Sequence, residues 1–386
     1  MASSEYYNSS YGDRPEQKGK RRRSWVLWLL DGVLTVLTAV VAVTLVLTYF
    51  VPYVNPSRVW FFPVLGLAAP ITYVAAVILM LYWIIRWRWL RAGVMILIVV
   101  VGLFKVTLFW RPEIRRTYAE TEDFDRGTIK VMTYNVRGFY GENGHSSVED
   151  ILRLIDEQDP DIICLQEFNS RLASQSEEFS LLEERYESPG FGRTAAPDSV
   201  YEAPLSILSK FRILRSGTVL TRASSVWADL LIDDDTVRVF NNHLHSTAIN
   251  ASDNAYITQH QFLLDTARET KIRSIVGRLR ANSVLRADQV DSIGRVIEQT
   301  RTRKIVCGDF NDTPMSYVYR TMAHGLRDAF RSCGSGYSHT FRGFFNTLRI
   351  DYVLNEGFDP VTYETLMVDY SDHHPVIVRL KKIERE

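Results

Sequence analysis

Six short stretches carry side chains able to handle a phosphate, a water and a metal ion. They are Thr133-Tyr134-Asn135, Leu165-Gln166-Glu167, Asn242-His243-Leu244-His245, Gly308-Asp309-Phe310-Asn311, Arg349-Ile350-Asp351 and Ser371-Asp372-His373-His374-Pro375. Oxygen donors without cysteine suit magnesium, with manganese as the other fit, rather than zinc. Magnesium keeps several waters and needs only one or two protein carboxylates beside a substrate phosphate. Histidines next to carboxylates supply general acid and base groups. The set describes metal-assisted attack of water on a phosphate ester. Any one stretch is also readable as a buried polar strand end satisfied by backbone groups. Six together are hard to explain that way.

All six adjoin strand-like apolar runs. Ile305-Val306-Cys307 reads as a buried strand that stops at Gly308 and hands Asp309 and Asn311 to a loop edge. Period-2 geometry points 309 and 311 to one side, and Pro314 prevents continuation. Ile129–Val136 and Asp161–Gln166 read as strands ending at Asn135 and Glu167. Between them, apolar residues at 148, 151, 152, 154 and 155 form a helical face. Further strands are expected at Leu205–Leu208, Val226–Ile232, Val237–Phe240, Ile350–Leu354 and Val376–Leu380. Asp233-Asp234-Asp235 makes a tight turn. Ser252 to Thr300 is long, polar and helical. Its Arg268, Lys271, Arg273, Arg278, Arg280 and Arg286 read as a solvated face, the alternative being a track for phosphates. Helices and strands are mixed and several strands are apolar throughout, so both sheet faces are covered, as in an α/β fold.

The N-terminal third has a different design. Residues 1–24 form a polar tail ending in Lys20, Arg21, Arg22 and Arg23. Apolar runs follow at Trp25–Val51, Trp60–Ile85 and Ala92–Trp110, each long enough to span a bilayer. Arg86-Trp87-Arg88-Trp89 between the second and third has the composition of a membrane interface. Asp31 and Lys105 lie near run ends and read as interfacial. The positive-inside rule puts the tail and the second loop in the cytoplasm and the remainder outside it. Residues 111–127 read as a linker and 128–386 as one catalytic domain. Residues 1–127 hold 15 basic and 9 acidic side chains, which leaves 30 and 36 in residues 128–386. A net-acidic domain is not the footprint of a general duplex-DNA binder. The three cysteines show no disulfide or zinc spacing.

Thr133-Tyr134-Asn135, Gln166-Glu167, His243-Leu244, Gly308-Asp309-Phe310-Asn311, Arg349-Ile350-Asp351-Tyr352 and Ser371-Asp372-His373-x-Pro375 resemble, in order, the motifs of the endonuclease/exonuclease/phosphatase superfamily. The resemblance covers about 128–380. It implies a four-layer sandwich, two packed mixed β-sheets flanked by helices, here preceded by three transmembrane helices, and a metal-dependent phosphoesterase. By that resemblance Glu167 is the principal metal ligand, with Asn135 beside it and Asp372 near the metal through water. Asp351 fixes the ring of His373, which stabilises the phosphoryl group or helps activate water. Asp309 orients or deprotonates the water, and Asn311 holds it or a phosphate oxygen. His243 donates to the leaving group or a phosphoryl oxygen. His245 and His374 read as rim or supporting residues. Tyr201-Glu202-Ala203-Pro204 departs from the abasic-site endonucleases, which lowers a DNA-repair reading.

The expected protein is therefore a membrane-anchored phosphoesterase using magnesium, with a lipid head group as first substrate and the bilayer as its partner. No protein partner is expected. The alternatives are an extracytoplasmic nuclease acting on nucleic acid, and a non-catalytic membrane binding module.

Overall fold

The structure is a computed structural model describing residues 25–113, 127–141, 144–189, 205–220, 224–247, 251–259, 261 and 268–384. The basic tail 1–24, residues 114–126 of the linker and Tyr201–Pro204 lie outside the described residues.

Among the described residues, ten strands of four or more residues build the C-terminal domain. They are β1 (Thr128–Asn135), β2 (Ile162–Gln166), β3 (Ser206–Ser209), β4 (Ile213–Thr218), β5 (Ser225–Ile232), β6 (Asp235–His243), β7 (Arg303–Asp309), β8 (Asp351–Glu356), β9 (Phe358–Thr365) and β10 (Val376–Lys382). One sheet runs β9-β10-β1-β2-β3. The other runs β4-β5-β6-β7-β8, with the two-residue strand Arg327–Asp328 at its edge. Two pairs, β1–β2 and β6–β7, are parallel. They end in register at Asn135↔Gln166 and His243↔Asp309, so the two sheets bring their polar ends to one rim.

Alternation along the strands separates three apolar layers. Val131, Cys164 and Ile207 meet Ala228, Val239, Ile305, Cys307 and Val353 between the sheets. Met132, Tyr134, Ile163 and Leu165 point outward. They pack on Ile151, Leu152 and Ile155 of α4 (Val148–Gln158) and on Phe179 and Leu182 of α5 (Glu177–Arg185). Phe240, Val306 and Leu354 do the same in the second sheet. They pack on Val290, Ile293 and Ile297 of α6 (Arg268–Gln299) and on Val318 and Met322 of α7 (Tyr317–Met322). Each such buried aliphatic side chain contributes roughly 1.5–3 kcal/mol. The expected four-layer α/β sandwich is the observed one.

The polar stretch 252–300 is helical as expected, in Ala251–Thr258 and α6. Two differences have physical causes. Strand β4 has no apolar run to betray it, because it is an exposed edge. Strand β9 contains Pro360, which argues against a strand; it too is an edge, and the ladder shifts register between Pro360 and Thr362.

Before this domain come α1 (Trp25–Phe50), α2 (Phe62–Ile85) and α3 (Trp89–Val106), of 26, 24 and 18 residues. All three are long and apolar enough to cross a membrane. They share a core of Leu45, Ala76, Leu79, Met95 and Val99, while Val36, Ile71, Leu90 and Phe104 face outward. Asp31 is not a solvated interfacial residue. It is buried and ion-paired with Arg86 at 2.9 Å and Arg88 at 3.6 Å, which ties the start of α1 to the α2–α3 turn. The third helix also stops short of the expected Trp110. Leu108 is buried in the domain's outer core, and Trp110–Arg111 pairs with Gly336–Tyr337.

Arg349 locks this junction. It is fully buried, donating from Nη1 and Nη2 to the two Asp328 carboxylate oxygens at 3.2 and 2.9 Å and from Nη2 to the Leu108 carbonyl at 3.0 Å. Arg349→Met leaves Asp328 as an uncompensated buried charge, so it should destabilise the fold by about 3–5 kcal/mol. Denaturant midpoints of the two proteins check this; equal midpoints would show that the pair is dispensable.

Candidate active site

The rim is built around Asp309. Strand β7 carries it inward, and Gly308 makes its approach possible. Gly308 adopts φ +130°, and a Cβ there would lie 1.9 Å from the Asn242 carbonyl on the neighbouring strand. The Asp309 carboxylate is buried and surrounded by donors. Oδ1 accepts from the Asn311 backbone N–H at 2.8 Å. Oδ2 accepts from Asn135 Nδ2 at 3.1 Å and Asn311 Nδ2 at 3.2 Å. Two ring nitrogens face the same oxygen, His373 Nε2 at 3.7 Å and His243 Nε2 at 3.8 Å.

Asn311 does not reach this position by the strand alternation that period-2 geometry predicts. Strand β7 ends at Asp309, and Asn311 turns back with φ +52°. Its Nδ2 also donates to the Leu244 carbonyl at 3.0 Å, which pins the β6 end to the loop.

Asn135 is oriented by the Arg137 N–H, which donates to its Oδ1 at 3.0 Å. That leaves Nδ2 to donate to Glu167 Oε1 at 3.2 Å as well as to Asp309. Glu167 holds φ +53°, a left-handed conformation that is uncommon for a non-glycine residue. Its carboxylate is about a third exposed and lies 3.6 Å from His243 Nε2.

Asp351 opens β8, placed by Thr340, whose hydroxyl accepts the Ile350 and Asp351 N–H groups at 3.0 and 3.1 Å. Asp351 Oδ2 lies 2.9 Å from His373 Nδ1. Asp372 stands at the edge of the site, 3.6 Å from Arg137 Nε, and its Oδ1 accepts from Ser371 Oγ at 3.3 Å. Thus Asn135, Glu167, His243, Asp309, Asn311, Asp351 and His373 converge, and Asp372 borders them. His245 is exposed and outside the cluster, while His374 is buried with Nδ1 3.0 Å from the Val368 carbonyl.

Burial raises the Asp309 carboxyl to about 6; His373 pulls the other way, Asp351 adds to the rise, and His243 opposes it. For His373 burial disfavours the charged ring, but Asp351 and then Asp309 outweigh it and lift the ring to about 10. The pair is thus a carboxylate near neutrality beside an imidazolium.

The residues fit a divalent cation in two ways. Asp309, Asp351 and His373 offer ligand atoms all within 4.8 Å of one another. That group is buried, and Asp351 and His373 already bond to each other. Glu167 is hard-oxygen, open to solvent and beside Asn135, so it leaves room for the waters magnesium retains.

A cavity of about 120 Å³ opens onto the cluster. Its lining includes Glu167, His243, Asp309 and His373, with residues no motif signalled: Arg286, Phe341 and Phe344, and Pro63 and Leu67 of α2. Arg286 is not on a solvated face. It is buried, donates to the His245 carbonyl at 2.9 Å and lies 3.6 Å from Asp312. Its neighbours on α6 are engaged elsewhere: Arg273 with Glu269, Arg278 with Asp253, Arg280 over the Trp60 ring.

A double-sheet sandwich with carboxylates, amides and histidines at one rim is the arrangement of a phosphoester hydrolase. A sequence model of the Endonuclease/Exonuclease/phosphatase family matches residues 132–373, and the chain belongs to that family, whose members are divalent-metal-dependent hydrolases of phosphoester bonds. A second family, described as a domain of unknown function, matches residues 31–109. No curated protein matches the chain. Among solved structures it is similar to truncated Caenorhabditis elegans TDP2, with 17% identity over 67% of this chain and 100% of that one at TM-score 0.45. It is also similar to the human Nocturnin catalytic domain with bound sulfate, with 17% identity, 67% and 95% coverage and TM-score 0.44. A Bacteroides thetaiotaomicron family protein matches at 18% identity, 67% and 98% coverage and TM-score 0.45.

In metal-free protein the His373 ring should stay protonated well above pH 7. Asp351→Asn removes the strongest charge favouring the protonated form, so the ring pKa must fall. Histidine-selective NMR titration reads both values; a wild-type ring titrating near its ordinary 6.5 would contradict the assigned coupling.

Proposed function

We propose that this protein is a membrane-anchored, magnesium-dependent phosphoesterase whose catalytic residues are His243, Asp309, Asn311, Asp351 and His373. The observation that carries the reading is the buried Asp309 carboxylate, raised to about 6 and facing two histidines at the mouth of a cavity. A general base works best with a pKa near the operating pH.

Each side chain has a task that its position supports. Asp309 takes the proton of the attacking water, whose oxygen bonds to phosphorus as the bond to the leaving oxygen breaks. Asn311 and Asn135 hold the carboxylate's orientation. Charged His373, braced by Asp351, offers its Nε2–H to a phosphoryl oxygen. His243, the more exposed ring, serves the leaving group or a second phosphoryl oxygen. Glu167, with Asn135 and Asp372 nearby, would hold the cation, which supplies Lewis-acid stabilisation of phosphate charge.

Anchoring is supported by the three apolar helices, and their presence makes a lipid head group the preferred substrate. The basic-flank argument places the domain outside the cytoplasm. A nuclease reading needs a basic groove, and of the α6 cations expected to line it Arg286 is buried and Lys271, Arg273, Arg278 and Arg280 are engaged with neighbouring groups, while Arg268 is exposed.

Purified full-length protein assayed with magnesium should hydrolyse bis-p-nitrophenyl phosphate and lipid vesicles but not plasmid DNA, and EDTA should abolish turnover. Asp309→Asn should lower kcat by about 10²–10⁴-fold. The wild-type rate should rise with pH through about 6, because the base must lose its proton to act. Glu167→Gln should raise the magnesium concentration needed for half-maximal rate. Unchanged metal dependence in that variant contradicts the ligand assignment, and DNA cleavage puts the nuclease first.

A further inference from the structure

The cavity has one wall that the catalytic domain does not supply. Pro63 and Leu67 stand one turn apart on α2, and both line it with Glu167, His243, Asp309 and His373. Helix α2 is one of the three that are apolar enough to cross a membrane. It is seated on the domain by a close approach at Gly66. A Cβ there would meet the Met315 carbonyl at 2.6 Å and Val51 Cγ1 at 3.1 Å. Met315 follows the loop that carries Asn311. Ala69, one turn on from Gly66, is buried in the apolar cluster that holds Phe310. Asn55, in the connection before α2, donates to Asp291 at 3.4 Å. The wall is therefore fixed relative to the reacting groups.

Phe341, Phe344 and Leu348 also line the cavity. The lining is thus mixed, with apolar side chains beside the charged and polar ones. The cavity brings Leu67 and these rings beside the polar groups that would hold a phosphate, so a substituent on that phosphate has them as apolar neighbours. We propose that the first turns of α2 are part of the substrate site, with Pro63 and Leu67 as specificity-determining residues that select phosphoesters bearing an apolar substituent. A bilayer lipid presents such a substituent at the end of α2, beside the cavity. The inference rests on the phosphoesterase reading and gives the helices a role beyond anchoring.

The test uses full-length protein in phosphatidylcholine vesicles with magnesium. Three substrates are compared: the vesicle lipid, bis-p-nitrophenyl phosphate, and a polar dinucleotide. Leu67→Ser should raise KM for the lipid and the aryl diester by about tenfold, the scale of one lost apolar contact. Its kcat should stay within about twofold, and the dinucleotide KM should not move. Gly66→Val, which lifts α2 from Met315, should have the same selective effect with the circular dichroism spectrum unchanged. Ile71→Ser, on the outward face of the same helix, should change nothing. Leu67 and Gly66 variants with wild-type KM on every substrate, or with equal losses on all three, would overturn the inference while leaving the phosphoesterase reading intact. Turnover of the aryl diester without lipid turnover removes the bilayer as the source of the substituent. A wild-type protein with no magnesium-dependent turnover sinks the phosphoesterase reading, and the α2 inference with it.

Discussion

A carboxylate held away from water must be surrounded by donors, and the rim of this protein is organised by that requirement at Asp309. An isolated buried carboxylate would neutralise itself instead of staying charged. Here Asn135, Asn311 and two imidazoles all converge on it. The donors come from both sheets: Asn135 from β1, His243 from β6, and His373 from the segment before β10. The compensation is partial, which is why the group sits near neutrality. A fully satisfied carboxylate would titrate lower, and an unsatisfied one would stay protonated.

Such convergence demands that the sheets keep a fixed relation. A buried amide pair provides it. Gln166 Nε2 donates to Asn241 Oδ1 at 2.7 Å across the sandwich, and Asn241 Nδ2 donates to the Leu165 and Ser206 carbonyls at 2.8 Å. Apolar layers slide and repack at modest cost, whereas an amide that loses its partner in a dry core costs about 1–3 kcal/mol. These two residues stand next to Glu167 and two residues before His243. The sheet crosslink and the register of the rim are thus set by the same strand ends. Gly308 completes the arrangement, because no side chain fits between β7 and the Asn242 carbonyl.

Most of the residues that meet at the rim were legible because they lie at or next to strand ends, and period-2 runs are visible in a sequence; Asn311 reaches the rim instead by the turn after β7. The Asp351–His373 pairing was expected from the family's motifs and is found at 2.9 Å. What escaped has no local signature. Gln166 stands in the motif before Glu167, but nothing local marks Asn241 as its partner, and their pairing crosses 75 positions. Arg286 sits in a run of cations whose other members are exposed or engaged with nearby groups, so composition could not single out the buried one. A strand-breaking residue misleads in the other direction: Pro360 hid β9, because an edge strand tolerates what an inner strand forbids. Asp31 and Leu108 belong to contacts between segments that hydropathy treats one at a time.

Those last contacts bear on how the apolar helices relate to the site. The Asp31–Arg86 pair closes the far end of the three-helix bundle, where a bare charge in an apolar helix would be costly. At the near end the connection between α1 and α2 and the exit from α3 both grip the domain, through Asn55, Gly66 and Leu108. A flexible tether would need none of this. Bundle and sandwich are instead joined at several separated points, and the first turns of α2 fall beside the cavity. Any movement of α2 therefore changes the space next to Asp309. In a molecule built this way, the same packing that seats the helices also shapes one wall of the cavity beside Asp309.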